Sequence, residues 1–81
     1  MRTIKRYSNR KLYDTKESRY LTLSQLAGHV RAGDEVKVIE FTTGKDLTSA
    51  TLAQVIFEEE RRAPSIPAEA LRRIILTGLS A

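Results

Sequence analysis

The sequence predicts an α+β fold: a small N-terminal antiparallel β-ribbon or meander, a short helix, a β-hairpin and two C-terminal helices, assembled as an oligomer. Three observations carry this. Residues 3–22 mix tyrosines and leucines with repeated turn formers, which suits a pleated, half-buried surface. After residue 22 the apolar spacing becomes helical behind a capping box. The chain also has only 81 residues and no cysteine. A core of that size supplies only about 3–5 kcal/mol, and association is the reinforcement left when disulfides and thiolate metal sites are excluded.

Within residues 3–22, Ser8-Asn9 and Thr15-Lys16-Glu17-Ser18 punctuate two or three short strands, with Asn9 suited to a left-handed backbone. Thr22 and Gln25 form the capping box of the first helix, whose apolar stripe is Leu23, Leu26, Ala27 and Val30. Gly33 is placed to end it in a left-handed cap. The run from Glu35 to Phe41 is β-rich, with Val36 and Val38 on one face and Ile39 and Phe41 on the other, so a strand with neighbours on both sides is expected. Thr42-Thr43-Gly44-Lys45-Asp46 turns the chain and Leu47 returns from it. Thr48 or Ser49 caps a second helix to about Arg62, with Leu52, Val55, Ile56 and Phe57 on its inner face. Pro64-Ser65-Ile66-Pro67 breaks the chain, and a third helix over 67–77 carries Leu71, Ile74, Ile75 and Leu76.

The net charge is +4, and residues 1–20 hold seven basic against two acidic side chains together with all three tyrosines, Tyr7, Tyr13 and Tyr20. A positive excess confined to one quarter of the chain attracts polyanions. The competing reading is a solvated basic edge that keeps strands from aggregating. No apolar run approaches the roughly 20 residues of a membrane span. Met1-Arg2-Thr3-Ile4 leads into polar residues rather than a secretion signal, so a cytoplasmic location is expected.

Enzyme chemistry finds little support. The single histidine, His29, has no evident nucleophile or carboxylate partner and reads as a solvated helix residue. No Cys/His cluster offers metal ligands and no glycine-rich loop precedes a helix, so no cofactor is expected. Glu58-Glu59-Glu60 points in three directions from a helix and reads as a solvated face. "TLSQLAGHV" looks like the first helix of a helix-turn-helix, but Gly33-Asp34-Glu35 leads into a strand where the groove-entering helix should follow. Arg6 and Arg10 have the R-x-x-x-R spacing by which PilZ-type domains grip cyclic di-GMP. Without that family's companion element, a cyclic-dinucleotide regulator stays an alternative.

Lys5-Arg6-Tyr7-Ser8-Asn9-Arg10-Lys11-Leu12-Tyr13-Asp14-Thr15, then Ser18-x-Tyr20-Leu21-Thr22-Leu23, resembles the N-terminal domain of the polyhydroxyalkanoate (polyhydroxybutyrate) synthesis repressors. Thr43-Gly44-x-Asp46-Leu47-Thr48 and Leu52-x-Gln54-Val55-Ile56-x-Glu58-x-Glu60 continue the match over about residues 4–60, leaving the helix at 67–77 unmatched. The resemblance implies a bacterial DNA-binding regulator, a repressor of granule-associated genes located at the nucleoid and at granules, with the polymer or granule surface as a further partner. It divides the chain into a DNA-binding domain over 1–62 and a C-terminal packing or oligomerisation element over 63–81. A protein- or granule-interaction module without DNA contact is the rival class.

Double-stranded DNA as the partner gives the opening stretch a chemistry. Arg6, Arg10 and Lys11 are the first candidates for phosphate or guanine contact, Lys5 and Arg19 the second. Asn9 at the ribbon tip can pair with adenine or form the turn. Tyr7, Tyr13 and Tyr20 can donate to phosphates or pack against the helices. A homodimer or higher oligomer would double the contacts, with Leu52, Ile56, Phe57, Leu71, Ile74 and Ile75 as its interface.

Overall fold

Strand β1 (Arg2–Arg6) is an inner strand of a four-stranded sheet, although it begins the chain. The computed structural model describes residues 1–78; the end of the element expected over 63–81 lies outside the described residues. After β1 come β2 (Leu12–Asp14), β3 (Arg19–Leu21), α1 (Leu23–Arg31), β4 (Val36–Glu40), α2 (Thr48–Arg62) and α3 (Ala68–Arg73), which runs into a π-helical turn at Ile74–Gly78. The strand order is β3-β2-β1-β4.

The expected antiparallel meander is present: Lys5 lies opposite Tyr13, and Tyr13 opposite Tyr20. The sheet as a whole is mixed, because β4 joins β1 in parallel, Ile4 beside Val38 and Lys5 beside Ile39. A helical crossover through α1 returns the chain to the end where β1 started, so β4 must run the same way. The expected hairpin after β4 shrinks to one bridge between Ile39 and Asp46, with the Leu47 amide donating to Val38 O at 2.8 Å. Only β1 flanks β4 as a full strand, so the expectation of strands on both sides fails. The chain leaves the edge early because α2 starts at once. The Thr48 amide donates to Asp46 Oδ1 at 2.8 Å, while the Thr48 hydroxyl accepts from the Val38 amide at 2.9 Å. Asp46 therefore supplies the helix-start acceptor expected from Thr48 or Ser49, and Thr48 ties the helix to β4.

Both α1 termini follow the sequence. Thr22 Oγ1 accepts from the Gln25 amide at 3.1 Å and Gln25 Oε1 from the Thr22 amide at 2.8 Å. At the other end Gly33 has φ +94°, its amide donates to Val30 O and the Asp34 amide to His29 O, each at 3.0 Å. That is a Schellman reversal, which needs a left-handed residue at Gly33. The core is Ile4, Leu12 and Val38 from the sheet against Leu26 and Ala27 of α1 and Val55 of α2. On α2 the inward face is Thr51 and Val55, with Leu52 half-buried, whereas Ile56 and Phe57 are exposed. The inner face expected of Leu52, Val55, Ile56 and Phe57 is thus rotated toward Thr51.

The Schellman reversal places Asp34 to receive Arg2. Arg2 Nη1 meets Asp14 Oδ2 at 2.5 Å and Arg2 Nε meets Asp34 Oδ2 at 3.0 Å. His29 closes the cluster, with Nδ1 3.3 Å from Asp34 Oδ2 and Nε2 3.9 Å from Asp14 Oδ2. The solvated histidine without carboxylate partners is therefore corrected: the turn at Gly33 brings Asp34 back beneath it. Burial opposes the charge on Asp14, yet amides from Lys16 and Glu17 and the Arg2 guanidinium hold its carboxyl below the ordinary 3.8.

A lowered carboxyl adds stability above its unfolded-state value and loses it as falling pH protonates the folded group. Thermal melts should therefore show the protein weakening as pH drops below about 4, while Asp14→Asn starts lower and flattens that acid limb. A variant with the wild-type pH profile would show that the cluster is not the acid-sensitive element. The buried Thr51 hydroxyl has no hydrogen-bond partner among the described residues. Thr51→Val should raise stability by about 1 kcal/mol by removing that unmet polar group, measured by chemical denaturation.

Candidate nucleic-acid interface

The first hairpin is built so that its tip must project. Tyr7 N–H donates to Lys11 O at 3.0 Å and Arg10 N–H to Tyr7 O at 2.9 Å. Asn9 Oδ1 accepts from the Lys11 amide at 3.1 Å. This is a turn over Ser8-Asn9 followed by a left-handed bulge residue, a connection that favours glycine at the bulge. The left-handed residue is Arg10, φ +68°, and not the expected Asn9, whose side chain instead closes the turn. Ser8, Asn9 and Arg10 are all exposed.

Side chains alternate across the sheet, so its two faces carry different chemistry. Arg2, Ile4, Arg6, Leu12, Asp14 and Val38 share the helix-covered face, where Arg6 lies at the end nearest the tip. The opposite face carries Lys5, Tyr13, Tyr20, Lys37 and Ile39 in register, and no strand residue on it is acidic. The tyrosines do not pack on the helices. They pack on one another there, Tyr13 5.3 Å from Tyr20 and Tyr7 6.5 Å from Tyr13, and Phe41 joins at 4.5 Å from Tyr7. Lys5 Nζ sits 5.6 Å from the Phe41 ring and Lys11 Nζ 5.5 Å from the Tyr20 ring. Cations over ring faces are held without being neutralised.

Arg2 apart, charge pairing separates the arginines of this region from the later ones. Among the described residues, Lys5, Arg6, Arg10, Lys11, Lys16 and Arg19 make no ion pair. Every arginine after residue 20 does: Arg31 with Glu59, Arg61 with Glu58, Arg62 with Glu59, and Arg72 and Arg73 with Glu69. Arg2 is withdrawn from the surface, but Asp14 is withdrawn with it, so the local excess is undiminished.

The predicted residues therefore divide. Lys5, Tyr7, Lys11 and Tyr13 lie on the open face, Asn9 and Arg10 at the tip, and Arg19 on the outer strand in register with Asp14. Arg6 and Arg10 line one shallow hollow with Tyr7, Ser8, Glu40 and Leu47. The turn does bring that pair together, but the Glu40 carboxylate in the same hollow opposes a phosphodiester ligand such as a cyclic dinucleotide. Tyr20 joins Lys5, Tyr7, Lys11 and Tyr13 on the open face, and Lys37 and Phe41, which the sequence does not single out as contacts, complete it. Lys37 and Phe41 share one parity of the β4 run, a signal legible in the sequence; only the parallel pairing with β1 shows which face that is. Of the residues expected at an oligomer interface, Leu52 and Leu71 are half-buried and Ile56, Phe57, Ile74 and Ile75 are exposed.

Among the described residues no group of three or more His, Cys, Asp or Glu side chains is placed to hold a metal ion, and no helix is long and apolar enough to cross a membrane. No solved structure matches the chain. An uncharacterized protein of Allochromatium vinosum is 40% identical over 75 residues, covering 91% of this chain and 49% of its own length. An uncharacterized protein in the phbA 5′ region of Thiocystis violacea is also 40% identical over 75 residues, covering 91% of this chain and 54% of its own. The chain thus spans about half the length of these curated relatives. The sequence model of the PHB/PHA accumulation regulator DNA-binding domain matches residues 3–63, so a projecting cationic hairpin beside an acid-free sheet face belongs to a member of that DNA-binding family.

Proposed function

We propose that residues 1–62 bind duplex DNA sequence-specifically as the reading head of a cytoplasmic transcriptional repressor of polyhydroxyalkanoate genes, granule-associated ones among them. The observation that carries the reading is Arg10. A non-glycine residue held left-handed costs about 1–2 kcal/mol, and glycine would fit the bulge without that cost. Keeping arginine at an exposed tip, where it makes no ion pair, favours a role outside the fold. The unpaired cations beside it supply phosphate contacts, and a two-stranded ribbon fits the major groove. The name of the Thiocystis relative, which places it in the phbA 5′ region, supports the choice of target genes. Association of the repressor with granules, through polymer or surface protein, belongs to the same reading.

Arg10→Gly separates fold from function. The variant should be more stable by about 1 kcal/mol and bind a duplex selected from a random pool about 1–3 kcal/mol more weakly. Scrambled duplex should lose much less. Equal losses on both sequences would make Arg10 an electrostatic anchor, and unchanged binding would remove it from the interface.

Binding should also be steeply salt-dependent. A dimer that neutralises roughly 6–10 phosphates loses about 10³–10⁵ in affinity between about 50 and 200 mM salt. Mobility shifts across that range check it, and a flat response would reject the cationic interface. Binding of an acidic polypeptide in preference to any duplex would instead favour a protein-interaction module.

A further inference from the structure

The open face of the sheet carries four aromatic rings that the helices leave uncovered. Tyr7 is at their centre, 6.5 Å from Tyr13, 6.1 Å from Tyr20 and 4.5 Å from Phe41. None of the four belongs to the buried core. The two outermost, Tyr20 and Phe41, stay 57% and 53% exposed.

Each exposed ring has a lysine beside it, Lys11 at Tyr20 and Lys5 at Phe41. Neither lysine makes an ion pair among the described residues. Asp46 borders the face beyond Ile39, but its carboxylate accepts the Thr48 amide and lies under the influence of Lys37. The free cations are therefore the ones next to the rings.

Duplex DNA has no use for the planes of these rings. Its bases show only their edges, with the π faces closed inside the stack. Four strands about 4.8 Å apart span about 14 Å, wider than the roughly 12 Å major groove that admits the hairpin. Tyrosine hydroxyls can still reach phosphates, but Phe41 has no hydroxyl and is open to solvent all the same. A second copy of the same face is a poor occupant, because its lysines would meet lysines. The ligand that matches has open π faces and a negative charge on every unit. That is a nucleic-acid strand without its partner.

We propose that the open face is a second nucleic-acid site, for unpaired bases: Tyr20 and Phe41 each stack a base, and Lys5 and Lys11 hold the phosphates. The ammonium over each ring gives way to the base and moves onto the phosphate that the base brings with it. This site does not rest on the duplex-reading proposal, since both the surface and the ligand chemistry differ.

All three tyrosines lie on this face and the chain has no tryptophan, so intrinsic fluorescence reports on it directly. Single strands of DNA and of RNA, each about 12 nucleotides long, are titrated against the 81-residue chain beside the duplex of the same sequence. A single strand should bind and quench the tyrosine emission, and the tighter of the two sugars identifies its source. Phe41→Ala should weaken single-strand binding about 5- to 150-fold and leave duplex affinity unchanged. Phe41→Leu, which keeps an apolar side chain against Tyr7 but has no flat ring, should weaken it too, and Phe41→Tyr should restore it. No binding of either single strand, equal losses on strand and duplex, or dextran sulfate binding as tightly as the strand would each overturn the proposal. Preference for phosphatidylglycerol vesicles over both strands would also overturn it, assigning the face to an anionic lipid surface. Single-strand binding without duplex binding would uphold this site and reject the duplex reading.

Discussion

Arg2 joins the elements that set the sheet. Its guanidinium reaches Asp14 at the end of β2 and Asp34 just past α1, while its own strand lies between β2 and β4. Asp14 in turn accepts the Lys16 and Glu17 amides at 2.9 and 3.3 Å, which sets the turn into β3. A buried ion pair of this kind contributes little net stability compared with well-packed apolar residues, yet leaving either partner alone is costly. What it fixes is register. With Arg2 facing the helices, Ile4 and Arg6 must face them as well, and Thr3, Lys5 and Tyr7 must face away.

That register gives the domain two unlike faces. One packs against the helices, with Arg2 neutralised there by Asp14 and Asp34. The other is an aromatic surface edged by lysines and leading to an arginine at the hairpin tip. The rings keep the lysine side chains extended while their charge stays available to a polyanion. The later helices handle charge in the opposite way, pairing each arginine locally. Polarisation at the level of composition thus becomes polarisation in space.

Local features were legible in the sequence wherever the physics is local. The Thr22/Gln25 capping box, the Gly33 cap, the two hairpins and the position of the basic cluster follow from neighbouring residues alone. The departures arise where distant residues decide. Nothing near Val36 says that β4 will pair in parallel with β1, so the mixed sheet, the place of Lys37 beside Thr3 and the companionship of Phe41 with Tyr7 stayed hidden. Helical spacing admitted Ile56 and Phe57 to the inner face of α2, but Thr48 binding to β4 rotates the helix so that Thr51 points inward. His29 looked solitary because its partners are brought to it by a reversal and by a strand-end aspartate. Arg10 in place of Asn9 as the left-handed residue reflects a bulge geometry that residue preferences alone do not favour.

The inner position of the first strand has a kinetic consequence. The meander from β1 to β3 joins near neighbours in the chain, so it can close quickly. The parallel edge of β1 cannot be completed until α1 has crossed over and β4 has been made. During synthesis from the N-terminus the nascent chain therefore holds an open, hydrogen-bonding strand edge with Ile4 and Leu12 uncovered. The lysines and arginines of that segment then act before the domain is finished, as mutual repulsion that keeps unfinished copies from pairing edge to edge.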